Sequence, residues 1–541
     1  MEQRRKFYRS LCLLVTSAFT VRLQYKNLIR GILLDNVRWL SLLATREDRR
    51  QAFGAFTNWT VNYFIGLLRG FFYATETQFG KFEIFFYQNH VWRGICKYST
   101  TIGLSLTTGT GRFEKTRLIP KKSSVRMICP DQMLTGADTE TEIREQGALV
   151  SILQMLRSDP RPFIFDNFSE FCETVRAIPH GNLFMVKADI RDCYPCIKQA
   201  VLSDIIRKKV ACVFGRNNSG TIICQEVRSV ILSSGSLKVK THYVPIPHRK
   251  EEQMDDFTDE QEFGFTSLRN RILAPSAVIA VQEPLNKIIS QFRGNVIKQG
   301  SNFYLLSEGI RQGGRLSPEL CHLYMESFLC SMFRDAKKLH IALKADDILI
   351  ASSDKEEAET ALQRIVDGSH KFNFRANREK IFTNFESKSC VQVHSRIPFC
   401  GSFYDCDTRS VMADFTRFQT SHLKYSFNCN PFHKAMAMAK YVANQFSHMR
   451  FHLMDSRHND ADVVVRNFYE RFLFQGMRFA CFLLCSDSHK QSQDAKLLEH
   501  FANLLAHKAY KLYHCGSLRQ GPGCSLLSER EVHFICSSAI L

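Results

Sequence analysis

No run of 18 or more apolar residues passes uninterrupted through this 541-residue chain, so no membrane-spanning helix is expected and no membrane partner. Internal repeats and low-complexity tracts are missing too. Nineteen cysteines are present, an odd number without paired spacing, which argues against a disulfide framework and for thiols in a reducing compartment. Cys193-Tyr194-Pro195-Cys196 has the CxxC form, but no second pair completes a zinc site. Acids are scarce at the start: residues 1–130 hold 7 Asp and Glu against 21 Lys and Arg. Most of the net charge of +19 therefore lies in the first quarter. Aromatic residues interleave with this basic excess, a composition that suits phosphate contacts and base stacking. The same rings would also serve an ordinary core. Arg4-Arg5-Lys6 followed by Leu11 to Val21 imitates a secretory signal, but Thr16, Ser17 and Thr20 interrupt it. The segment reads instead as an amphipathic helix continuing through Leu23, Leu28 and Ile32.

What is present centres on Leu343-Lys344-Ala345-Asp346-Asp347-Ile348-Leu349-Ile350. Two acids between short apolar runs read as a β-hairpin with the acids at its turn. Repulsion between the acids has a purpose if they are hard oxygen ligands for a divalent metal; taken alone, the pair fits a solvated turn better. A third acid, Asp189, follows the apolar strand Phe184-Met185-Val186-Lys187-Ala188, with Tyr194 five residues on. Asp189 precedes Asp346 by 157 positions, so only a fold that returns the second strand beside the first would join them. Three such carboxylates suit two metal ions. Between them Glu308-Gly309-Ile310-Arg311-Gln312-Gly313-Gly314-Arg315-Leu316-Ser317-Pro318 reads as a loop that can pass close to a ligand. Leu320 to Met332 then reads as a buried helix.

This constellation resembles the telomerase reverse transcriptases. The acidic strands resemble motifs A and C of that family, and the Gln312-Gly313 loop its motif B. Arg117-Leu118-Ile119-Pro120-Lys121 through Arg126 resembles motifs 1 and 2, Asn377-Arg378-Glu379-Lys380 motif D, and Pro398-Phe399-Cys400-Gly401 the primer-grip motif E. All stand in the family's order. The stretch from Phe71 through Tyr73, Thr75, Glu76, Phe79 and Lys81 to Tyr87 and Trp92 is similar to the T motif, which ordinary reverse transcriptases lack.

The resemblance implies an α+β right-hand polymerase of fingers, palm with antiparallel sheet, and helical thumb, preceded by a mostly helical RNA-binding domain. The expected divisions are residues 1–105 for RNA binding, 106–405 for fingers and palm with an insertion near 200–300, and 406–541 for a helical thumb. The acidic run from Glu251 to Glu262 reads as a solvated loop in that insertion. Apolar spacing predicts helices over Ala435 to Phe446, Val463 to Leu484 and Leu497 to Tyr513; the resemblance makes them the thumb, and a generic helical bundle fits nearly as well. No room is left before the T-like stretch for the separate N-terminal domain of longer members, so a short form is expected.

The implied reaction copies RNA into DNA at a 3′ end. Asp189, Asp346 and Asp347 would hold two Mg²⁺ ions, and Lys380 would assist proton transfer toward pyrophosphate. Asp192, if on a strand, would face away from Asp189. Lys121, Arg126, Tyr194, Gln312 and Gly313 would bind the deoxynucleoside triphosphate, with Tyr194 under the sugar. Cys400 and Gly401 would support the primer end. Phe71, Tyr73, Thr75, Glu76, Phe79, Lys81, Tyr87 and Trp92 would bind RNA, about half of the rings in this stretch being structural and Tyr87 and Lys81 exposed. Expected partners are telomerase RNA, the telomeric DNA 3′ end and deoxynucleotides, at chromosome ends in the nucleus. Three departures bear on pocket shape: Ala345 before the two acids, Pro195 after Tyr194, and Phe399 where the primer grip often has Trp. A retroelement-type reverse transcriptase is the alternative, but no endonuclease, RNase H or integrase motif set accompanies the polymerase motifs.

Overall fold

The computed structural model describes Phe7, Tyr8 and residues 32–77, 80–98, 104–107, 113–121, 125–129, 139–157, 163–179, 183–215, 220–233, 236–246, 271–299, 302–389, 392–416, 423–429, 434–448, 451–485, 491–517 and 526–541. Most of the apolar N-terminal segment expected as a helix, and the acidic run from Glu251 to Glu262, lie outside these residues.

The centre is a six-stranded sheet ordered Gln392–Val393, Phe382–Thr383, Phe184–Asp189, Asp347–Ser352, Leu339–Lys344, Ile164–Phe165. Its middle strands read as near-continuous apolar runs because both faces are covered. Alternation sorts their side chains into two cores. Val186, Ala188, Ile341, Leu343, Ile348 and Ile350 enter one core, with residues of the helices Thr139–Leu156, Gln199–Phe214, Ser317–Met332 and Lys355–Asp367. Met185, Ala342, Leu349 and Ala351 enter the other, with the helix Phe168–Arg176 and the C-terminal helices. Burying a Leu, Ile, Val or Met side chain contributes about 1.5–3 kcal/mol, so this double packing fixes the strand ends where the acids sit.

The expected helix after the glycine loop is present as Ser317–Met332, with Pro318 in its first turn. The three expected C-terminal helices run Ala435–Asn444, Ala461–Cys485 and Gln491–Ser517. A fourth, Glu529–Ile540, was not read from periodicity. Its capping box, Ser528 with Glu531, is a sequence signal that could have found it.

Near the start, the helices Arg46–Phe71 and Asn89–Tyr98 flank an antiparallel hairpin, Phe72–Thr77 with Gly80–Gln88, which carries the T-like stretch. A second hairpin, Arg117–Pro120 with Val125–Ile128, carries Arg126 and leads into Lys121. The long stretch between Cys196 and Ser307 contributes the helix Gln199–Phe214 and a three-stranded antiparallel sheet of Ser236–Pro245, Thr221–Ser233 and Arg271–Gln282.

Candidate active site

Leu339–Lys344 and Asp347–Ser352 pair antiparallel, with Lys344 opposite Asp347. Ala345 and Asp346 form the turn, and Ala345 takes a left-handed backbone, φ 56°. That conformation costs an L-residue about 1–2 kcal/mol. It puts Asp346 at the tip and Asp347 at the start of the returning strand. Asp347 stands directly opposite Asp189 in the strand ladder. The long sequence gap between the acids is thus closed by strand pairing.

Each strand acid has a lysine. Lys380 Nζ donates to Asp189 Oδ2 at 2.9 Å, and Lys187 Nζ lies 3.1 Å from Asp347 Oδ1. Burial, then the charges of Asp189 and Asp347, hold the Asp346 carboxyl above its usual range. Partial burial opposes charge on Lys380, but its bond to Asp189 and the charges of all three acids hold its ammonium above the ordinary lysine value. Among the described residues, no three or more His, Cys, Asp or Glu side chains are gathered into a metal-holding group. The donor set nevertheless suits a hard cation: Asp189 and Asp347 stand opposite each other on paired strands, Asp346 adjoins them on the turn, and a divalent ion would relieve the repulsion the strand acids exert on Asp346.

The surroundings are tied to this centre by the backbone. The strand ends at Asp189, and Asp192 caps the short turn Cys193–Cys196 with φ 47°. The expectation that Asp192 faces away along a strand therefore does not apply; it meets Lys121 at 3.6 Å. Tyr194 is half-buried in that turn, its hydroxyl pushed up by burial and then by Cys321. Ile310 N donates to Tyr194 O at 3.0 Å, and Gly309 N to Ile197 O at 2.9 Å. Gly309 has φ 76°, and a Cβ there would come within 2.8 Å of the Pro195 backbone. Pro195 thus belongs to a close backbone contact. Gln312 is half-buried, and its carbonyl accepts from Cys129 N at 2.7 Å, joining the glycine loop to the hairpin that holds the exposed Arg126. Gly313 is exposed with φ 103°.

The strands Arg396–Phe399 and Ser402–Asp405 are joined by Cys400 and Gly401, with φ 53° and 76°. Positive φ at both positions is the signature of a type I′ turn. It brings Cys400 Sγ to 3.9 Å from Asp347 Oδ2. Phe399 is buried against Phe168, with ring centroids 5.0 Å apart.

The T-like hairpin divides its residues differently from expectation. Thr75 and Glu76 are buried: Thr75 Oγ1 donates to Leu118 O at 3.2 Å, and Glu76 pairs with Arg117 at 2.5 Å. These two side chains, expected as RNA contacts, join two hairpins. Trp92 is buried and stacks on Tyr73 at 4.4 Å, with Tyr87 at 5.3 Å. Tyr87 is half-buried, so the exposed rings are Phe71, Phe85 and Phe86. Phe79 and the Lys81 side chain lie outside the described residues.

Four residues escaped sequence reasoning. Lys187 is buried inside an apolar strand, two positions before Asp189; a charge on the face of a nearby acid was the available signal. Gly309 gave only a generic glycine signal. Arg311 and Glu114 form a buried pair at 3.0 Å between the glycine loop and the strand Glu114–Lys115, which no local pattern reveals.

Comparison with known proteins follows the same lines. Residues 1–101 match the family "Telomerase ribonucleoprotein complex - RNA binding domain", and residues 270–396 match "Reverse transcriptase (RNA-dependent DNA polymerase)". Telomerase reverse transcriptase of Mus musculus is 22% identical over 99% of this chain and 53% of its own length. That of Takifugu rubripes is 24% identical over 85% of this chain and 47% of its own length.

Along nearly its whole length the chain is similar to the telomerase reverse transcriptases.

It spans about half the length of the curated relatives it matches. Its fold is shared with telomerase from Candida albicans, solved with a TWJ fragment of telomeric RNA: TM-score 0.67, 17% identity, covering 100% of this chain and 82% of that one. Apo telomerase from Candida tropicalis gives TM-score 0.53 at 15% identity, covering 98% and 85%. The α+β right-hand polymerase fold expected from the motifs is therefore borne out.

Proposed function

We propose that this chain is an RNA-templated DNA polymerase that extends DNA 3′ ends at telomeres on a bound RNA template. The observation that carries the reading is the pairing of Asp189 with Asp347 across two strands, with Asp346 on the adjoining turn. Asp189, Asp346 and Asp347 would hold the divalent cations on which reverse transcriptases depend, two Mg²⁺ in this reading. Bound there, such ions would supply positive charge that lowers the pKa of a primer hydroxyl and offsets the charge of a departing pyrophosphate.

The chain's own groups do the rest. Lys121 and Arg126 attract the triphosphate. Tyr194 closes the space beside the sugar, held by the backbone bonds that dock its turn against the glycine loop. Gln312 and Gly313 line the nucleotide and template pocket. The Cys400-Gly401 turn supports the primer end beside Asp347. Lys380, within reach of the acids and largely exposed, protonates the leaving pyrophosphate. Residues 1–105 hold the telomerase RNA, with Phe71, Phe85 and Phe86 as stacking surfaces; 106–405 form fingers and palm; 406–541 form the thumb. The work is done in the nucleus, at chromosome ends.

The test is Asp346→Ala in the full chain with its RNA. Nucleotide addition is expected to vanish while RNA binding persists. Extension at the wild-type rate would overturn the reading.

A further inference from the structure

Strand alternation places Lys187 and Asp189 on one face of the sheet. Asp347, directly opposite Asp189, shares that face, so Lys187 is its diagonal neighbour on the adjacent strand. Its ammonium lies 3.1 Å from Asp347 Oδ1, with 8% of the side chain exposed. Lys187 sits between Leu349 on one neighbouring strand and Phe382 on the other, which closes it in. Lys380, the counter-ion of Asp189, is 57% exposed. The two lysines therefore differ in what they can do. An exposed ammonium swings into water easily, whereas a buried one that leaves its partner becomes an unpaired charge in a poor solvent. When a cation enters, Lys380 can release Asp189, but Lys187 keeps Oδ1 of Asp347.

Only Oδ2 of Asp347 then remains open, on the side of Cys400 Sγ at 3.9 Å. A carboxylate limited to one oxygen suits Mg²⁺, which is small and demands octahedral geometry. Ca²⁺ is larger, takes more ligands, and often grips both oxygens of one carboxylate. We propose that Lys187 is a specificity-determining residue: by holding Asp347 Oδ1 it denies a two-oxygen grip and discriminates Mg²⁺ from Ca²⁺. The inference rests on the reading of the acids as a metal site.

The experiment measures binding rather than turnover. Mn²⁺ is titrated into the full nucleotide-free chain and followed by electron paramagnetic resonance, then displaced with Mg²⁺ or Ca²⁺. In Lys187→Met the ratio of Ca²⁺ to Mg²⁺ affinity should rise about fivefold or more, because the second oxygen is now open. Lys380→Met removes the same charge from the other acid. It should tighten both ions together and leave the ratio within about twofold of wild type. Lys187→Gln serves as the second variant if Lys187→Met does not fold; its amide still donates to Oδ1, more weakly, and its ratio should fall between those of Met and wild type. An unchanged ratio in a folded Lys187 variant, with Mn²⁺ still bound, overturns the proposal alone. No Mn²⁺ binding by the wild-type chain overturns the metal reading and this proposal with it.

Discussion

Lys380 Nζ reaches Asp189 Oδ2 at 2.9 Å from a short 3₁₀ turn, Arg378–Lys380, that the chain places beside the acid strand. Asn377 N donates to Asp189 O at 2.8 Å, so backbone as well as side chain ties this segment to the acid. The lysine is thus poised where negative charge collects, and its exposure leaves it able to move.

If Lys380 serves as a general acid, Lys380→Leu should slow the chemical step by roughly 10²-fold or more. Single-turnover extension separates this from binding. A loss confined to nucleotide affinity would assign the lysine to charge attraction instead.

Tyr194 is expected to set sugar choice. Tyr194→Ala should raise kcat/KM for ribonucleotides relative to deoxynucleotides, because the volume under the sugar opens. Gly309→Ala acts on the same turn from behind, since its methyl would meet the Pro195 backbone at 2.8 Å. Expected there is lower activity toward both nucleotide classes. Retained activity in Tyr194→Ala with an unchanged ratio would place sugar discrimination elsewhere.

The aromatic residues of the T-like hairpin should separate into two groups. Trp92→Ala removes a buried ring stacked on Tyr73 and should cost about 3–5 kcal/mol of stability, read as denaturant midpoint. Replacing the exposed Phe85 and Phe86 together by Ala should leave the midpoint nearly unchanged while weakening cognate RNA binding. Equal binding of cognate and unrelated RNA by the wild-type chain at matched salt would count against a dedicated RNA partner.

A pH effect is expected in the C-terminal half. His458 is buried, with Nε2 2.7 Å from the His452 carbonyl oxygen. Burial holds its imidazole below the usual histidine value, against the pull of Asp455. The unfolded chain takes up a proton near pH ~6.5 and the folded chain only lower. Its contribution to stability is therefore present above that pH and lost as pH falls. Tm should drop on acidification from about pH 7.5 to about 5.5. His458→Gln should flatten that slope; an equally steep slope in the variant would assign it to other groups.

Local sequence was sufficient for much of this molecule. The apolar runs around Asp346 and Asp347 specify a hairpin, because period-two burial and a tight turn are local properties. The helix Ser317–Met332 and the main C-terminal helices follow from apolar spacing for the same reason. What sequence left open was every relation that depends on distant surfaces. That Asp189 faces Asp347 is decided by strand order in the sheet, which the two helix-backed cores impose. Thr75 and Glu76 looked like ligand contacts because polar groups among aromatics bind RNA; docking of a second hairpin made them a buried joint. Lys187 carries a charge that local rules assign to a surface. Only the diagonal approach of Asp347 makes its burial tolerable, since an ammonium leaves water at acceptable cost when a carboxylate meets it.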